Sequence, residues 1–359
     1  LKPRSKEKVM PVKYRDLGRS DLNVSEFCLG TMTWGSQNTP EEAFAQIDLA
    51  LERGINILDT AEMYPTTPLR AETVGETERI IGEWLRRGGA RDRIVLATKI
   101  TGEGSQVVGR GGAPITPASL REAIEGNLRR LNTDHVDLYQ LHWPNRGSYH
   151  FRKSWGFAPE GQAPGVEEDM LAILRTIGEL RDEGKLRHFG LSNETAWGTA
   201  TFLKLAEREN LPRVVAIQNE YNLLCRLYDL DLAELSHHEG VGLLAYSPLA
   251  AGLLTGKYAD GARPAGSREA VNGNNLGGRI SEYSEPVAAE YVALARAHDL
   301  DPARMALAFC ASRPFMGSVI LGATTLDQLE NDIDAAELVL SDEVLAGIAA
   351  IHRRFPAPL

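Results

Sequence analysis

Cysteine is scarce: Cys28, Cys225 and Cys310 are the three in a chain of 359 residues. They are odd in number, far apart and lack the paired spacing of a zinc site, which argues against a disulfide-stapled fold and fits free thiols in a reducing cytoplasm. Long apolar runs are also missing. Nothing approaches the roughly 18 to 20 residues of a membrane-spanning helix, and no leader-peptide pattern opens the chain. Basic residues are outnumbered, 39 Lys and Arg against 49 Asp and Glu, for a formal net charge of −10. Nucleic acid and anionic membranes are therefore poor partners for the surface as a whole. Two signatures are lacking as well. CLGTMTWG (residues 28–35) has the wrong spacing for a GxGxxG dinucleotide turn, and it carries no His-x-His of the kind a metallohydrolase barrel would place on its first strand, so no metal is expected.

What is present is an alternation of two periods. Thr39-Pro40 reads as an N-cap followed by proline, Phe44, Ile47 and Leu51 share a helical face, and Gly54 stops the helix. An apolar strand over Ile55 to Leu58 comes next. A helix near 76–87 precedes a strand over Ile94 to Thr98, and Thr116-Pro117 caps a helix ahead of a strand over Val136 to Leu141. Helices near 169–182 and 196–210 and strands over His188 to Leu191, Val214 to Ile217, Gly242 to Ala245 and Ser318 to Leu321 continue the rhythm. With Cys28 to Met32 as the first, eight short apolar strands separated by helices predict an α/β fold closed as a (β/α)8 TIM barrel. An open doubly wound sheet is the rival, weakened by the missing glycine turn. A β-hairpin over 14–26 precedes the barrel, and Ser341 caps an extra C-terminal helix running to Arg353. Residues 1–9 read as an N-terminal extension or cloning remnant, and 10–359 as one domain. The long irregular segments 101–115, 144–167 and 255–284 each follow a strand end, which puts them on the catalytic face.

Where the strands stop, polar side chains follow: Asp59, Lys99, His142, Ser192-Asn193, Gln218-Asn219, Tyr246-Ser247, then Gly322 and Thr324. Singly, each reads as a cap, a turn residue or a snorkelling lysine. A barrel brings them to one mouth. Asp59, Lys99, His142 and Tyr64 then suit protonation of a carbonyl. A free phenol has a pKa near 10, too high to exchange protons readily at neutral pH. An ammonium about 4 Å away attracts the phenolate by roughly 4 kcal/mol at an effective dielectric of 20, pulling that pKa down against desolvation. Asp59 would hold Lys99 charged, and His142 would orient the carbonyl oxygen. Tyr64 would be the general acid, worth about 10²–10⁴ in rate.

Protonating the oxygen is useful if hydride reaches the carbon, so the other strand ends are expected to hold a hydride donor. Ser192, Asn193 and Gln218 could bond a carboxamide, and Tyr246 offers a flat face to a nicotinamide. YSPLAAGLLTGKY (246–258) supplies glycine, backbone N–H groups and Lys257 for a pyrophosphate. Lys257 and Arg268 could also meet a 2′-phosphate, which favours NADP(H) over NAD(H). Trp34, Tyr64, His142 and Trp143 are expected to wall the pocket of a small-molecule carbonyl substrate. Tyr149, Phe151, Trp155 and Phe157 either join them or form a loop core of their own.

These residues resemble the aldo-keto reductases. LDTAEMY looks like that family's Asp-Thr-Ala-x-x-Tyr motif, LATK carries its lysine and YQLHWP its histidine, while GKLRHFGLSN (184–193), QNEYNLL (218–224), YSPLAAGLLTGK and LGATTLDQL (321–329) match further motifs. The likeness spans nearly the whole chain and is greatest to a bacterial Tas-type branch related to potassium-channel β subunits. It implies a barrel with NADP(H) extended across its mouth and hydride transfer to an aldehyde or ketone. By motif match Asp59, Tyr64, Lys99 and His142 would form the tetrad. Ser192, Asn193, Gln218, Tyr246, Ser247 and Leu249 would hold nicotinamide and ribose, and Lys257, Arg268, Gly322, Thr324 and Gln328 the phosphates and adenosine. Thr31, Met32, Pro248, Ala250 and Gly252 complete the cofactor-binding set. Relatives usually place Glu-Asn where QLENDI has Asn331 and Asp332, and an inward Asp332 would sit poorly beside a 2′-phosphate.

Two rival readings remain. Channel β subunits resemble the chain closely enough to suggest a nucleotide-binding redox sensor or regulatory subunit; they tend to carry Asn where His142 stands, which favours the enzyme. Lys99 as a Schiff-base nucleophile is disfavoured by its pairing with Asp59, which keeps it protonated.

Overall fold

The computed structural model describes residues 12–359; the extension read at 1–9 lies outside the described residues. Strands β1 (Tyr14–Asp16) and β2 (Asn23–Ser25) pair antiparallel as a hairpin. Eight more follow: β3 (Phe27–Gly30), β4 (Ile57–Asp59), β5 (Val95–Ile100), β6 (Val136–Leu141), β7 (Leu186–Ser192), β8 (Val214–Glu220), β9 (Gly242–Tyr246) and β10 (Met316–Leu321). All eight pair parallel with their neighbours, and β10 pairs with both β9 and β3, so the sheet is a closed barrel. Around it run α1 (Pro40–Glu52), α2 (Glu76–Arg86), α3 (Pro117–Leu131), α4 (Val166–Asp182), α5 (Ala196–Glu209) and α6 (Asp231–Glu239). After β9 come the short α7 (Arg268–Asn272) and α8 (Asn275–Gly278), then α9 (Ser284–Ala297) and α10 (Pro302–Ala311). Helices α11 (Leu326–Ile333) and α12 (Asp342–Arg354) close the chain.

Local chemistry accounts for the helix starts. Thr39 and Thr116 each accept the third-residue N–H, at Glu42 and Ser119, and those side chains return a bond to the cap backbone. Such a cap is worth about 1 kcal/mol. The turn that ends α1 corrects one sequence boundary. Ile55 closes the turn after α1, its N–H donating to Ala50 O at 2.8 Å, so β4 begins two residues later. Strands β7, β8 and β10 are longer than the sequence suggests, and Gln218 and Asn219 lie within β8 rather than beyond it.

The apolar core has two bodies. The larger fills the space between barrel and helices. The smaller fills the barrel itself: Cys28, Ile57, Val95, Ala97, Leu138, Ala216, Leu244 and Ile320, closed from below by Leu17, Leu22 and Val24 of the hairpin. Because side chains alternate along a strand, two residues onward the inward positions are Asp59, Lys99, Gln140 and Gln218. The barrel is apolar at its foot and polar at its mouth for that reason alone.

Candidate active site

At the mouth, β4 and β5 pair with Asp59 opposite Ala97, two residues short of Lys99. Lys99 is fully buried. Its Nζ donates to Asp59 Oδ2 at 2.7 Å and to Thr60 O at 2.7 Å. The other carboxylate oxygen of Asp59 accepts Gln218 Nε2 at 2.8 Å and, more weakly, Gln140 Nε2 at 3.4 Å. Thr31 Oγ1 donates to Asp59 O at 2.8 Å. Burial of the Lys99 ammonium works to lower its pKa, but Asp59 and then Tyr64 outweigh it, and Lys99 stays protonated, above its ordinary value.

Tyr64 hangs over this pair from the loop after β4, with Lys99 Nζ 5.0 Å from its ring centroid. The expected lowering of its pKa does not prevail. Burial is the largest influence and raises the phenol above its ordinary value; Lys99 opposes it and Asp59 adds to it. Tyr64 is thus firmly in the acid form. The ring of His142 meets that of Tyr64 edge-on, with centroids 5.8 Å apart. Burial first, and Lys99 second, push the imidazole well below 6.5, so it is neutral, and its Nδ1 has no partner.

A cleft of about 1570 Å³ opens above these residues. Thr31, Met32, Ser192, Asn193, Gln218, Tyr246, Ser247, Pro248, Leu249, Gly252, Lys257, Arg268, Gly322, Thr324 and Gln328 line it along with Asp59, Tyr64, His142 and Trp143. Asn193 is held at both ends, donating to His142 O at 2.9 Å and accepting Tyr246 Oη at 2.7 Å. Two expected members are elsewhere. Trp34 is 0% exposed and packs in the outer core, its Nε1 donating to Gln46 Oε1 of α1 at 3.0 Å, so it walls no pocket. Ala250 turns into the core in a left-handed stretch, and Ala251 lines the cleft instead. The long loop also divides. Phe151 stacks on Trp143 at 5.4 Å and faces the cleft. Tyr149 packs on His150 and Phe157 within the loop, and Trp155 is 79% exposed, donating to Leu359 O.

Lys257 and Arg268, like Arg152 and Lys153, line the cleft without an ion-pair partner among the described residues. Burial lowers Lys257, opposed by Asp332. Burial, then Arg279 and Arg152, bring Arg268 down to about 10. Unpaired cations, Arg268 half-buried and Lys257 exposed, beside a left-handed backbone turn (Ser247, Ala251, Gly252) suit a phosphate-bearing ligand. Asp332 lines the far end, 5% exposed, and Asn331 is tied to Arg304 at 2.9 Å. Sequence reading missed Gln140, Glu220 and Arg279. Gln140 was findable, since it sits two residues before His142 on the same face of β6. Arg279 forks onto Glu220 at 2.7 and 2.8 Å and reaches Ser247 Oγ at 3.3 Å, a bond across 59 residues that no local pattern signals.

A parallel barrel whose strand ends gather a lysine–aspartate pair, a phenol and a neutral imidazole has the layout of a barrel oxidoreductase. The chain belongs to the aldo/keto reductase family, whose model matches residues 26–353. It is 46% identical to Protein tas of Escherichia coli (strain K12) over 97% of this chain and 100% of that one. It is 32% identical to the uncharacterized oxidoreductase YrpG of Bacillus subtilis, over 97% of each chain. It is 31% identical to a probable voltage-gated potassium channel subunit beta of Oryza sativa, over 96% of this chain and 98% of that one. The family generally uses a nicotinamide nucleotide. No helix among the described residues is long and apolar enough to cross a membrane.

Proposed function

We propose that this protein is an NADP(H)-dependent reductase that converts an aldehyde or ketone to an alcohol. The observation that carries the reading is the convergence of Asp59, Lys99, Tyr64 and His142 at one end of a cleft whose other end holds unpaired Lys257 and Arg268. The bound nucleotide would supply hydride to the carbonyl carbon. Tyr64 would donate its phenolic proton to the carbonyl oxygen, and Lys99 would stabilise the phenolate left behind. Asp59, held by Gln218, fixes Lys99. The neutral His142 has one N–H to offer the carbonyl oxygen, setting its angle. Trp143 and Phe151 form a flat apolar shelf beside it, suited to an apolar or aromatic substituent. Lys257 and Arg268 support NADP(H), and Asp332 beside Lys257 is the feature that weakens that preference. Free thiols at Cys28, Cys225 and Cys310 fit a cytoplasmic setting.

The relatives named as channel β subunits support a second reading, a nucleotide-binding regulatory subunit with little turnover. A panel of aldehydes and ketones with NADPH and NADH in parallel decides between them. Tyr64→Phe is expected to lower turnover by about 10²–10⁴ with nucleotide binding retained. Full activity in that variant sinks the mechanism, and tight NADPH binding without carbonyl-dependent oxidation by the unsubstituted protein favours the second reading.

A further inference from the structure

Glu62 lies between Asp59 and Tyr64 in the sequence, yet it faces away from the cleft and is buried. Its N–H donates to Lys99 O at 3.1 Å. Its carboxylate is fully engaged elsewhere. Thr101 N donates to Oε2 at 2.9 Å, while Arg110 places Nη1 on Oε1 at 2.5 Å and Nη2 on Oε2 at 2.7 Å. Arg110 Nη2 also reaches Thr101 O at 3.4 Å. This is a two-pronged, charge-assisted pairing, the geometry that specifies position best.

What the pair holds is a glycine-rich segment with few internal ties, three backbone bonds at Gly104–Gly112, Gly111–Val108 and Ala113–Arg110. Residues 101–115 contain five glycines and little apolar surface, so their backbone entropy opposes order. Glu62 grips the segment at Thr101 and Arg110, and Asn145 grips its end through paired bonds of 2.8 Å to Ile115 N and O. Between those grips the segment meets the substrate side of the cleft. Glu103 O accepts Trp143 Nε1 at 2.8 Å. A Cβ on Gly102 would come within 2.3 Å of the same Nε1. Trp143 in turn stacks on Phe151.

We propose that the Glu62–Arg110 pair is a clamp that sets the substrate-facing wall, residues 101–105 with the Trp143–Phe151 shelf, at a fixed distance from Tyr64, and so determines which bulky carbonyls the pocket accepts. Glu62 and Arg110 are positioning residues that touch neither nucleotide nor substrate. The clamp rests on the reductase reading for its consequence, since it selects among carbonyls. Its test has one arm that depends on turnover and one that does not.

Steady-state kinetics with 2-naphthaldehyde and propionaldehyde form the first arm. Arg110→Ala is expected to raise KM for the naphthyl substrate about tenfold or more, because misplacement of a wall by about 1 Å has effects of that order. KM and kcat for propionaldehyde and the dissociation constant of NADPH should stay within about twofold, since neither depends on the wall. Arg110→Lys should recover part of the loss, and Glu62→Gln, which keeps an acceptor for Thr101, should show the same split. Equal changes for both aldehydes, or none, overturn the proposal. Arg110→Ala leaves the buried Glu62 carboxylate without its counter-charge, so each variant's fold is checked by circular dichroism, and Arg110→Lys, which keeps the charge but not the two-pronged geometry, carries the test if Arg110→Ala does not fold. Amide hydrogen exchange is the second arm: Arg110→Ala should speed exchange within 101–115 and 143–151 alone. If the unsubstituted protein reduces neither aldehyde, the reductase reading is decided by the wider carbonyl panel and the clamp is judged on exchange, where an unchanged pattern overturns it.

Discussion

Replacing Asp332 with asparagine probes the far end of the cleft by stability and by binding at once. The carboxyl is 5% exposed. Burial, with Asp301 adding to it, raises its pKa from an ordinary 3.8 to about 7, against the pull of Lys257 and Arg304. In the unfolded chain the group ionises near 3.9; in the fold it keeps its proton up to about 7. The folded state therefore binds more protons between those values, and stability falls as pH rises from about 4 to about 7. Below that window Asp332 costs nothing. Above it the full difference applies, about 4 kcal/mol. Asparagine has the same shape and no charge. Urea unfolding at pH 4.5 and pH 8.5 should show the advantage of Asp332→Asn growing by about 3 kcal/mol between the two. The same substitution removes an anion beside Lys257, so the dissociation constant for NADPH, read by fluorescence titration at pH 8.5, should fall relative to that for NADH. A variant whose stability advantage is the same at both pH values would refute the burial argument.

Other outcomes follow from the same electrostatics. His142 is kept neutral by burial and by Lys99, below its ordinary 6.5, so kcat/KM for carbonyl reduction should not fall as pH is lowered through 6.5; a limb centred there that vanishes in His142→Asn would contradict this. Glu220→Gln leaves the buried Arg279 guanidinium without its counter-charge, which should cost about 3–5 kcal/mol in urea unfolding. A loss under about 1 kcal/mol would mean that Arg279 finds solvent or another partner.

The corner that gathers Asp59, Lys99, Tyr64 and His142 was legible because it obeys a short rule. Strands of period two, each carrying a polar residue at or near its end, bring Asp59, Lys99, His142, Ser192 and Gln218 to one mouth once the sheet closes. Where the reading failed, the deciding partner lay far along the chain or the backbone left its regular path. Trp34 stands four residues past the end of β3 and looks like a wall of the mouth, but Gln46, on the next helix, satisfies its indole N–H in the outer core. Ala250 and Ala251 are indistinguishable by composition, and left-handed dihedrals decide which one faces the cleft. Glu62 carries no local signal, because its partner Arg110 lies 48 residues away. Lys99 does act on Tyr64 as the sequence suggests, but the depth of burial, which a sequence does not print, decides the sign.

The hairpin of β1 and β2 stoppers the barrel's foot with Leu17, Leu22 and Val24, and this gives the molecule a direction. A barrel filled from its foot upward turns a single face to ligands, so whatever occupies the cleft arrives and departs on the side of the mouth. The stoppered end, free of that traffic, can be rebuilt, tethered or fused to a second protein without standing in the way of the chemistry at the rim.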